Sequence, residues 1–173
     1  MKRMVSSFAA ALAAMTLLTG CGAKQPAPET TPAPQASVSM YDLSEAMRSA
    51  WGSESELAYV SSSDDNAAEE LAYVTETDYE KVDSFFMLYA ADGSKSADET
   101  VVIRMKDEAD AQTAADTFSA HVKSRKALYD VYAPELAAEM DGAVIFTEGS
   151  FAVLIVGGNA EAAREAFSDF IDK

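Results

Sequence analysis

Apolar and polar residues alternate in blocks from residue 40 onward, and the spacing of these blocks predicts a domain of helices and strands. Phe85–Tyr89 is a short apolar run of strand length, and Thr100–Met105 is a second, with the turn signal Asp92-Gly93 between them. Asp107 is a good N-cap for the long helical pattern that follows. These segments predict a β-β-α unit. The inward face predicted for its helix consists of Ala111, Ala115, Phe118, Val122, Arg125 and Tyr129.

The last part of the chain repeats this order. Ala143–Thr147 and Phe151–Val156 predict a hairpin, because Gly149 suits the first central position of a tight turn between them. Gly157 follows the second strand, and Asn159 is suited to cap a final helix. The sequence therefore predicts an α+β domain with a mainly antiparallel sheet of about four strands, built from two β-β-α units, with an additional N-terminal helix.

The additional helix is predicted near residue 42, where Asp42-x-x-Glu45 resembles a capping box with Asp42 as the cap. Gly52 is expected to end this helix. Its inward face is predicted to contain Leu43, Met47, Ala50 and Trp51.

A pentapeptide, Glu-Leu-Ala-Tyr-Val, occurs twice, at residues 56–60 and 70–74. Two copies of five residues fall short of a repeat architecture, so either chance or two equivalent packing segments explains them. The stretch 64–66 reads Asp-Asp-Asn and predicts a turn that opens a short helix through Leu71. Pro134 predicts the start of another short helix, which extends to Met140.

Two of the predicted strands, Phe85–Tyr89 and Phe151–Val156, do not alternate between apolar and polar residues. An antiparallel sheet with one face in water normally shows that alternation. Either helices cover both faces of the sheet, with helix 42–51 on one side and the two long helices on the other, or one face is an interface with a partner.

The N-terminal segment has the pattern of an export signal. Lys2 and Arg3 precede an apolar run from Val5 to Leu18, which is too short for a membrane span of about 20 residues. The run ends in Leu-Thr-Gly-Cys, which resembles the bacterial lipobox. This resemblance implies cleavage after residue 20 and lipidation of Cys21; the alternative is an ordinary secreted protein in which Cys21 is incidental.

The region after the signal peptide differs sharply in composition. Four of the five prolines lie in residues 21–39, among Ala, Thr and Gln, and this composition favours an extended tether over a core. We therefore expect a signal peptide at 1–20, a lipidated Cys21 with its tether at 21–39, and a single domain at 40–173. The domain would lie on the extracytoplasmic face of the cell membrane, held there by the lipid on Cys21.

The net charge of the chain limits the classes of partner that it can bind. The sequence has 13 Lys and Arg against 29 Asp and Glu, for a formal net charge of −16. This balance argues against nucleic-acid binding, which requires a basic surface, and against direct adsorption to anionic lipid. The sole cysteine is the predicted lipid attachment site, so no cysteine remains for a disulfide, a thiol nucleophile or a thiolate metal site.

No motif indicates catalysis or a cofactor. His121, the single histidine, is predicted to face solvent beside the apolar row of its helix, without a partner at a motif spacing. The loop Asp92–Glu99 carries oxygen donors, but its glycine is misplaced for an EF-hand and Lys95 lies among the ligand positions. The sequence therefore predicts no catalytic residue, no metal ligand and no cofactor.

Arg125 is the strongest candidate for a polar site, because it shares a helix face with Phe118 and Val122. Its guanidinium group is expected to reach a partly buried acceptor. One interpretation is structural, as an internal ion pair or a donor to carbonyls at the helix end. The other is functional, as an anion-binding arginine in a groove with Tyr132.

Several of these features follow one another in a fixed order. They are Asp98-Glu99 before the strand Thr100–Met105, Lys106-Asp107 before the long helix, Arg125 in that helix, Tyr132-x-Pro134 after it, and the strand, Gly149, aromatic residue, strand and helix at the end. Because these features occur in this order, the chain resembles a family of lipoproteins of Gram-positive bacteria that is defined by a domain of unknown function. The resemblance covers most of residues 40–172, weakly before residue 80. It implies a lipoprotein and brings no activity, because none is established for the family.

Three functions remain open from the sequence. The leading hypothesis is a non-catalytic surface lipoprotein that binds an unidentified envelope protein or helps to assemble the envelope. The second is a protein that binds a small ligand or anion through Arg125 and Tyr132. The third is a hydrolase acting on wall material, which would need a polar pocket with two or more convergent acids.

Overall fold

The computed structural model describes residues 38–52 and 55–173. The predicted signal peptide, Cys21 and nearly all of the tether lie outside the described residues. The helices and strands are α1 (Met40–Trp51), β1 (Leu57–Ser61), α2 (Ala67–Ala72), β2 (Val82–Ala90), β3 (Glu99–Met105), α3 (Ala111–Tyr132), α4 (Pro134–Met140), β4 (Val144–Glu148), β5 (Phe151–Val156) and α5 (Ala160–Ile171). Among the described residues, no helix is both long and apolar enough to cross a membrane.

The described strands form one open antiparallel sheet in the order β1-β2-β3-β5-β4. The α+β class and the two hairpins are therefore as predicted. The expected number of about four strands is one too low, because β1 was not identified from the sequence. β1 lies at an edge of the sheet and is only partly buried, so it lacks the continuous apolar run that marks β2 and β5.

Helices cover both faces of the sheet. On one face β2, β3 and β5 contribute Phe85, Val101, Ile103 and Leu154, which pack with residues of α2, α3 and α4. On the other face Phe86, Val102, Val153 and Ile155 pack with residues of α1 and α5. Coverage of both faces was one of the two predicted alternatives, but α5 lies beside α1 instead of sharing a face with α3.

The start of α1 corrects the predicted capping box. Ser39 is the N-cap, and its hydroxyl accepts a hydrogen bond from the Asp42 backbone N–H at 3.3 Å. Asp42 is thus an acid of the first turn, where a negative charge favours the helix, and Glu45 pairs with Arg48. Gly52 ends α1 as predicted, with a φ angle of 84°.

The two copies of the pentapeptide adopt different structures. Leu57–Val60 of the first copy belongs to β1, whereas the second copy lies at the end of α2 and in the turn after it. Residues 57–60 of the first copy pair with β2, and the first three residues of the second copy belong to the helix that starts after Asn66. Of the two explanations, the structure excludes equivalent packing segments, because neighbouring residues decide the conformation of so short a stretch.

Candidate functional site

A buried carboxylate lies at the first position of β3. Glu99 pairs across the sheet with Tyr89 of β2 on one side and with Val156 of β5 on the other. Because side chains alternate along a strand, Glu99 is on the same face as Val101 and Ile103, under α3. Its side chain is only 8% exposed. A charged group at such depth requires strong partners.

Two residues of α3, one helical turn apart, supply those partners. His121 Nε2 lies 2.9 Å from Glu99 Oε2 and 3.1 Å from Oε1. Arg125 Nη1 donates to Glu99 Oε2 at 2.8 Å. The spacing of four residues places both side chains on the same face of the helix. The carboxylate therefore joins β3 to the middle of α3.

The ionisation of this cluster follows from burial and from these contacts. Burial by itself would raise the pKa of Glu99, but the hydrogen bond with His121 and the charge of Arg125 bring the pKa below its usual value. Burial opposes the charged form of Arg125, but the charge of Glu99 and the hydrogen bonds with Tyr129 and Glu99 together raise the pKa of Arg125. The glutamate and the arginine are thus a charged, mutually neutralising pair.

The cluster continues into the loop between β2 and β3. Arg125 Nη2 donates to the hydroxyl of Tyr129 at 3.0 Å, and that hydroxyl donates to the carbonyl oxygen of Gly93 at 3.0 Å. The guanidinium group also lies over the Tyr129 ring, 5.4 Å from its centroid. One turn of α3 therefore holds both the start of β3 and the loop that precedes it. We call Glu99, His121, Arg125 and Tyr129 the Glu99 cluster.

A cleft with a volume of about 310 Å³ opens beside the Glu99 cluster. The residues that line it come from α2 and the turn after it, from β2 and its following loop, and from the cluster itself. They are Glu70, Tyr73, Val74, Met87, Tyr89, Ala90, Gly93, Glu99, His121 and Arg125. The cleft thus combines an apolar floor and tyrosine rings with hydrogen-bonding groups, as small-molecule sites usually do.

The cleft still has hydrogen-bonding capacity. Arg125 has five N–H donors, of which two serve Glu99 and Tyr129, and 22% of its side chain is exposed. Glu70 accepts from Asn66 Nδ2 at 2.7 Å through Oε1, and its Oε2 makes no hydrogen bond within residues 38–52 and 55–173. The cleft can therefore offer both donors and an acceptor to a ligand.

The predicted site residues differ in their placement. Arg125 lines the cleft and forms an internal ion pair, with Glu99 as its acceptor. Tyr132 is 78% exposed and is not among the residues that line the cleft. The tyrosine that contacts Arg125 is Tyr129, one turn earlier, so Arg125 lies with Tyr129 and Glu99, and the described cleft does not include Tyr132.

His121 and Glu99 were not identified as site residues from the sequence. His121 was expected to face solvent, yet only 11% of its side chain is exposed because it lies against Glu99. Two signals could have found them. Glu99 is an acid at the start of a strand that is otherwise almost wholly apolar, and His121, Arg125 and Tyr129 recur at steps of four along α3.

The acidic loop after β2 is not arranged as a metal centre. Asp92 accepts hydrogen bonds from the hydroxyl and the backbone N–H of Ser94, and it pairs with Lys95 at 2.9 Å. The Ser94 and Lys95 donors lower the pKa of Asp92 to about 2. In the part of the chain that the structure describes, no group of three or more His, Cys, Asp or Glu residues could hold a metal ion.

Residues 59–157 match the family model described as Domain of unknown function (DUF4358). The chain belongs to this DUF4358 family. The domain of unknown function in the resemblance drawn from the sequence is thereby confirmed, whereas the lipoprotein character of that resemblance stays a prediction. Every residue that lines the cleft lies within the DUF4358 segment. The segment leaves out α1 and α5, which together cover the opposite face of the sheet.

The DUF4358 description carries no activity. No curated protein and no solved structure matches the chain.

Proposed function

We propose that this protein is a lipid-anchored binding protein of the extracytoplasmic membrane face, whose cleft beside the Glu99 cluster takes a small ligand without converting it. The N-terminal pattern of a signal followed by Cys21 and a proline-rich tether supports the location. The cleft supports ligand binding, and the proposal depends on it most.

The observation that supports the proposal most strongly is the position of the cleft in a domain whose sheet faces are otherwise closed. Both faces of the sheet are closed by the chain's own helices, so the apolar strands do not supply an open docking surface. The cleft of about 310 Å³ combines an apolar floor with a fixed polar cluster, and this volume is within the usual range for small-molecule sites of roughly 300–1,000 Å³.

The geometry argues against an anion as the ligand. The charge of Arg125 is already matched by Glu99 at 2.8 Å, and Glu70 adds a further carboxylate to the lining. Of the lining side chains that carry a formal charge with histidine counted as neutral, Glu70 and Glu99 are negative and Arg125 is positive, so an anion entering the cleft would meet more negative than positive charge. We therefore propose ligand binding without the anion preference that Arg125 suggested in the sequence.

The geometry also gives little support to a wall hydrolase. Glu70 and Glu99 both line the cleft, which is the number of acids that such an enzyme would need. A general acid, however, must hold a proton near neutral pH, and the partners of Glu99 lower its pKa. Both of its oxygens are also engaged by His121 and Arg125.

One observation favours the alternative of an envelope protein as partner. Leu128, Val131 and Tyr132 are exposed, and their spacing places them on one side of the last turns of α3. Exposed apolar residues grouped in this way can contact another protein. A partner of this kind would contact α3 near residue 131, at residues that do not line the cleft.

A matched pair of glycine variants tests ligand binding. Gly93→Phe should fill part of the cleft, because Gly93 is one of the residues that line it. The backbone can accept a side chain there, since a Cβ at Gly93 would lie 3.7 Å from the Tyr129 hydroxyl, which is an ordinary contact distance. Gly158→Phe adds the same side chain where a Cβ meets nothing within 4 Å, so it serves as the control. We expect compounds from a panel of small amines, sugars, peptides and carboxylates to raise the melting temperature of the wild-type chain and of Gly158→Phe, but not of Gly93→Phe.

The proposal fails under either of two results. One is a panel in which no compound stabilises the wild-type chain. The other is equal stabilisation of Gly93→Phe and the control by every active compound, which would place binding outside the cleft. Circular dichroism of both variants checks that each retains its fold.

A further inference from the structure

The lining of the cleft includes a carboxylate that is held in place by a hydrogen bond and has one oxygen available for a ligand. Glu70 lies in α2, and Asn66, one turn earlier, donates to its Oε1 at 2.7 Å. This contact fixes the carboxylate and leaves Oε2 without a hydrogen bond among the described residues. In the described part of the chain, no Lys or Arg forms a salt bridge with Glu70. Its negative charge is therefore not neutralised by a neighbouring side chain.

Two tyrosine rings line the same cleft. Tyr73, in the turn after α2, is 79% exposed, although it is a large aromatic residue and lies beside the apolar Val74. Tyr89 is partly buried and is the cross-strand neighbour of Glu99. The face of an aromatic ring carries negative electrostatic potential and attracts an organic cation within about 6 Å. The rings and the Glu70 carboxylate thus favour the same sign of charge.

The charge balance of the whole cleft points the same way. Its lining contains the carboxylates of Glu70 and Glu99 and one guanidinium group, Arg125, which Glu99 neutralises. The chain as a whole has a formal net charge of −16. A cation would therefore be attracted both over long range by the whole chain and locally by Glu70.

We infer that the ligand is an organic ammonium ion with an apolar body. The charged nitrogen would lie near Glu70 and the tyrosine rings, and the apolar body would contact Val74 and Met87 on the floor of the cleft. This inference rests on the proposed ligand-binding function and adds the chemical class of the ligand to it.

Three probes of similar shape isolate the effect of charge. Phenethylammonium is a cation, phenethyl alcohol is neutral and hydrocinnamate is an anion. Their dissociation constants are measured by ligand-observed NMR on the full-length chain in detergent. We expect the ammonium probe to bind at least about threefold more tightly than the alcohol, because an exposed ion pair and a cation–π contact each contribute modestly. Hydrocinnamate should bind most weakly.

Charge and ring variants test the named residues. Glu70→Gln should reduce the preference for the ammonium probe over the alcohol by about threefold, since it removes one exposed counter-ion. Glu69→Gln is the matched control, because Glu69 neighbours Glu70 in α2 but does not line the cleft. Tyr73→Leu should weaken binding of the ammonium probe, and Tyr73→Phe, which keeps an aromatic face, should not.

Each outcome decides the inference. Equal affinity for the three probes, tighter binding of hydrocinnamate, no binding of phenethylammonium, or equal effects of Glu70→Gln and Glu69→Gln would overturn it. These results leave the proposed function standing if another compound of the wider panel still binds to the wild-type chain and not to Gly93→Phe. Failure of that wider panel is a separate result that removes the proposed function as well.

Discussion

At the scale of single residues, Glu99 has the largest consequence for both structure and function. It is an almost fully buried acid in a strand of otherwise apolar residues, and two residues of α3 hold it in the ionised form. Removing one member of such a buried pair usually costs far more than the net value of the pair, because it leaves the other charge without a partner. The Glu99 cluster is therefore a polar joint between the sheet and α3.

Glu99→Gln should lower the free energy of unfolding by about 2–4 kcal/mol at about pH 7, since Arg125 would lose its buried counter-charge. The pKa of Glu99 is lower in the folded chain than in the unfolded chain, so its stabilising effect is complete above the unfolded value of about 4.3. The effect disappears as the pH falls through the folded pKa. The difference in the free energy of unfolding between wild type and Glu99→Gln, measured by urea denaturation, should therefore be smaller at about pH 3 than at about pH 7.

Glu69→Gln is a suitable control for this measurement, because Glu69 is exposed on α2. It should change the stability by less than about 0.5 kcal/mol at either pH. If the difference in the free energy of unfolding between wild type and Glu99→Gln is the same at both pH values, Glu99 and Arg125 are not an ionised pair.

Single residues of the site could be predicted only in part. Arg125 was identified because a charged residue on an apolar helix face needs a buried acceptor, and such an acceptor exists. The sequence marks Glu99 as an acid in an apolar strand, but it does not show that Glu99 pairs with Arg125, because the contact joins residues 26 positions apart and depends on which helix covers which face of the sheet. The contact of Arg125 with Tyr129, by contrast, joins residues four positions apart on one helix and could have been predicted from their spacing.

At the scale of elements, the end of α1 and the junction of β5 with α5 meet at one indole ring. Trp51 Nε1 donates to the buried hydroxyl of Thr100 at 3.1 Å, and the Trp51 carbonyl accepts from Asn159 Nδ2 at 3.0 Å. Gly157, with a φ angle of 124°, passes so close that a Cβ would lie 2.9 Å from the ring and would also collide with Asp98. Glycine is required there by both conformation and space.

Gly157→Ala should destabilise the fold by about 2–4 kcal/mol, from backbone strain and overpacking together. Gly158→Ala is the neighbouring control and should cost less than about 1 kcal/mol, because a Cβ there meets nothing within 4 Å. Thermal denaturation followed by circular dichroism measures both. Equal melting temperatures for the two variants would contradict the close packing at Trp51.

Elements with strong local signals could be predicted closely from the sequence. β5 and α4 have the predicted bounds, because an unbroken apolar run and a helix-opening proline are local signals. β1 could not be predicted, since it is short and its position depends on pairing with β2. Backbone groups at both ends of β1 bind polar side chains instead of a further strand. Arg48 Nη1 donates to the Leu57 carbonyl at 2.8 Å, and the Ser61 N–H donates to Asp64 at 2.7 Å.

The pairing of the helices could not be predicted from local sequence patterns either. α1 and α5 contact each other on one face, although they lie at opposite ends of the described sequence. The amphipathic pattern of α5 showed that it packs on a sheet, but the pattern is the same for either face. The side of the sheet is set by the path of the chain through all five described strands.

At the scale of the whole molecule, the proposed function joins an acidic binding domain to a lipid anchor. The chain has a formal net charge of −16, and a negative charge of this size repels a domain from anionic lipid headgroups. Stable attachment to a membrane would then have to come from the anchor. Two acyl chains hold a protein far more firmly than one, because each buried methylene contributes about 0.8 kcal/mol.

Lipidation of Cys21 is tested on protein purified from its natural host. Intact-mass measurement should give a chain that begins at Cys21 and carries a diacylglyceryl group, and radiolabelled palmitate should be incorporated. Cys21→Ser should abolish the label and release the protein from the membrane fraction. An unmodified Cys21 in the wild-type protein would refute the proposed location while leaving the cleft unaffected.

Ligand binding in the cleft is tested most directly by mapping backbone amide chemical shifts while the tightest-binding compound of the panel is added to the isotopically labelled chain. We predict that the perturbed amides cluster at Tyr73, Ala90, Gly93, Glu99 and Arg125, and that the perturbation is lost in Gly93→Phe and kept in Gly158→Phe. Perturbations confined to Leu128, Val131 and Tyr132, or no perturbation with any compound, would contradict the account.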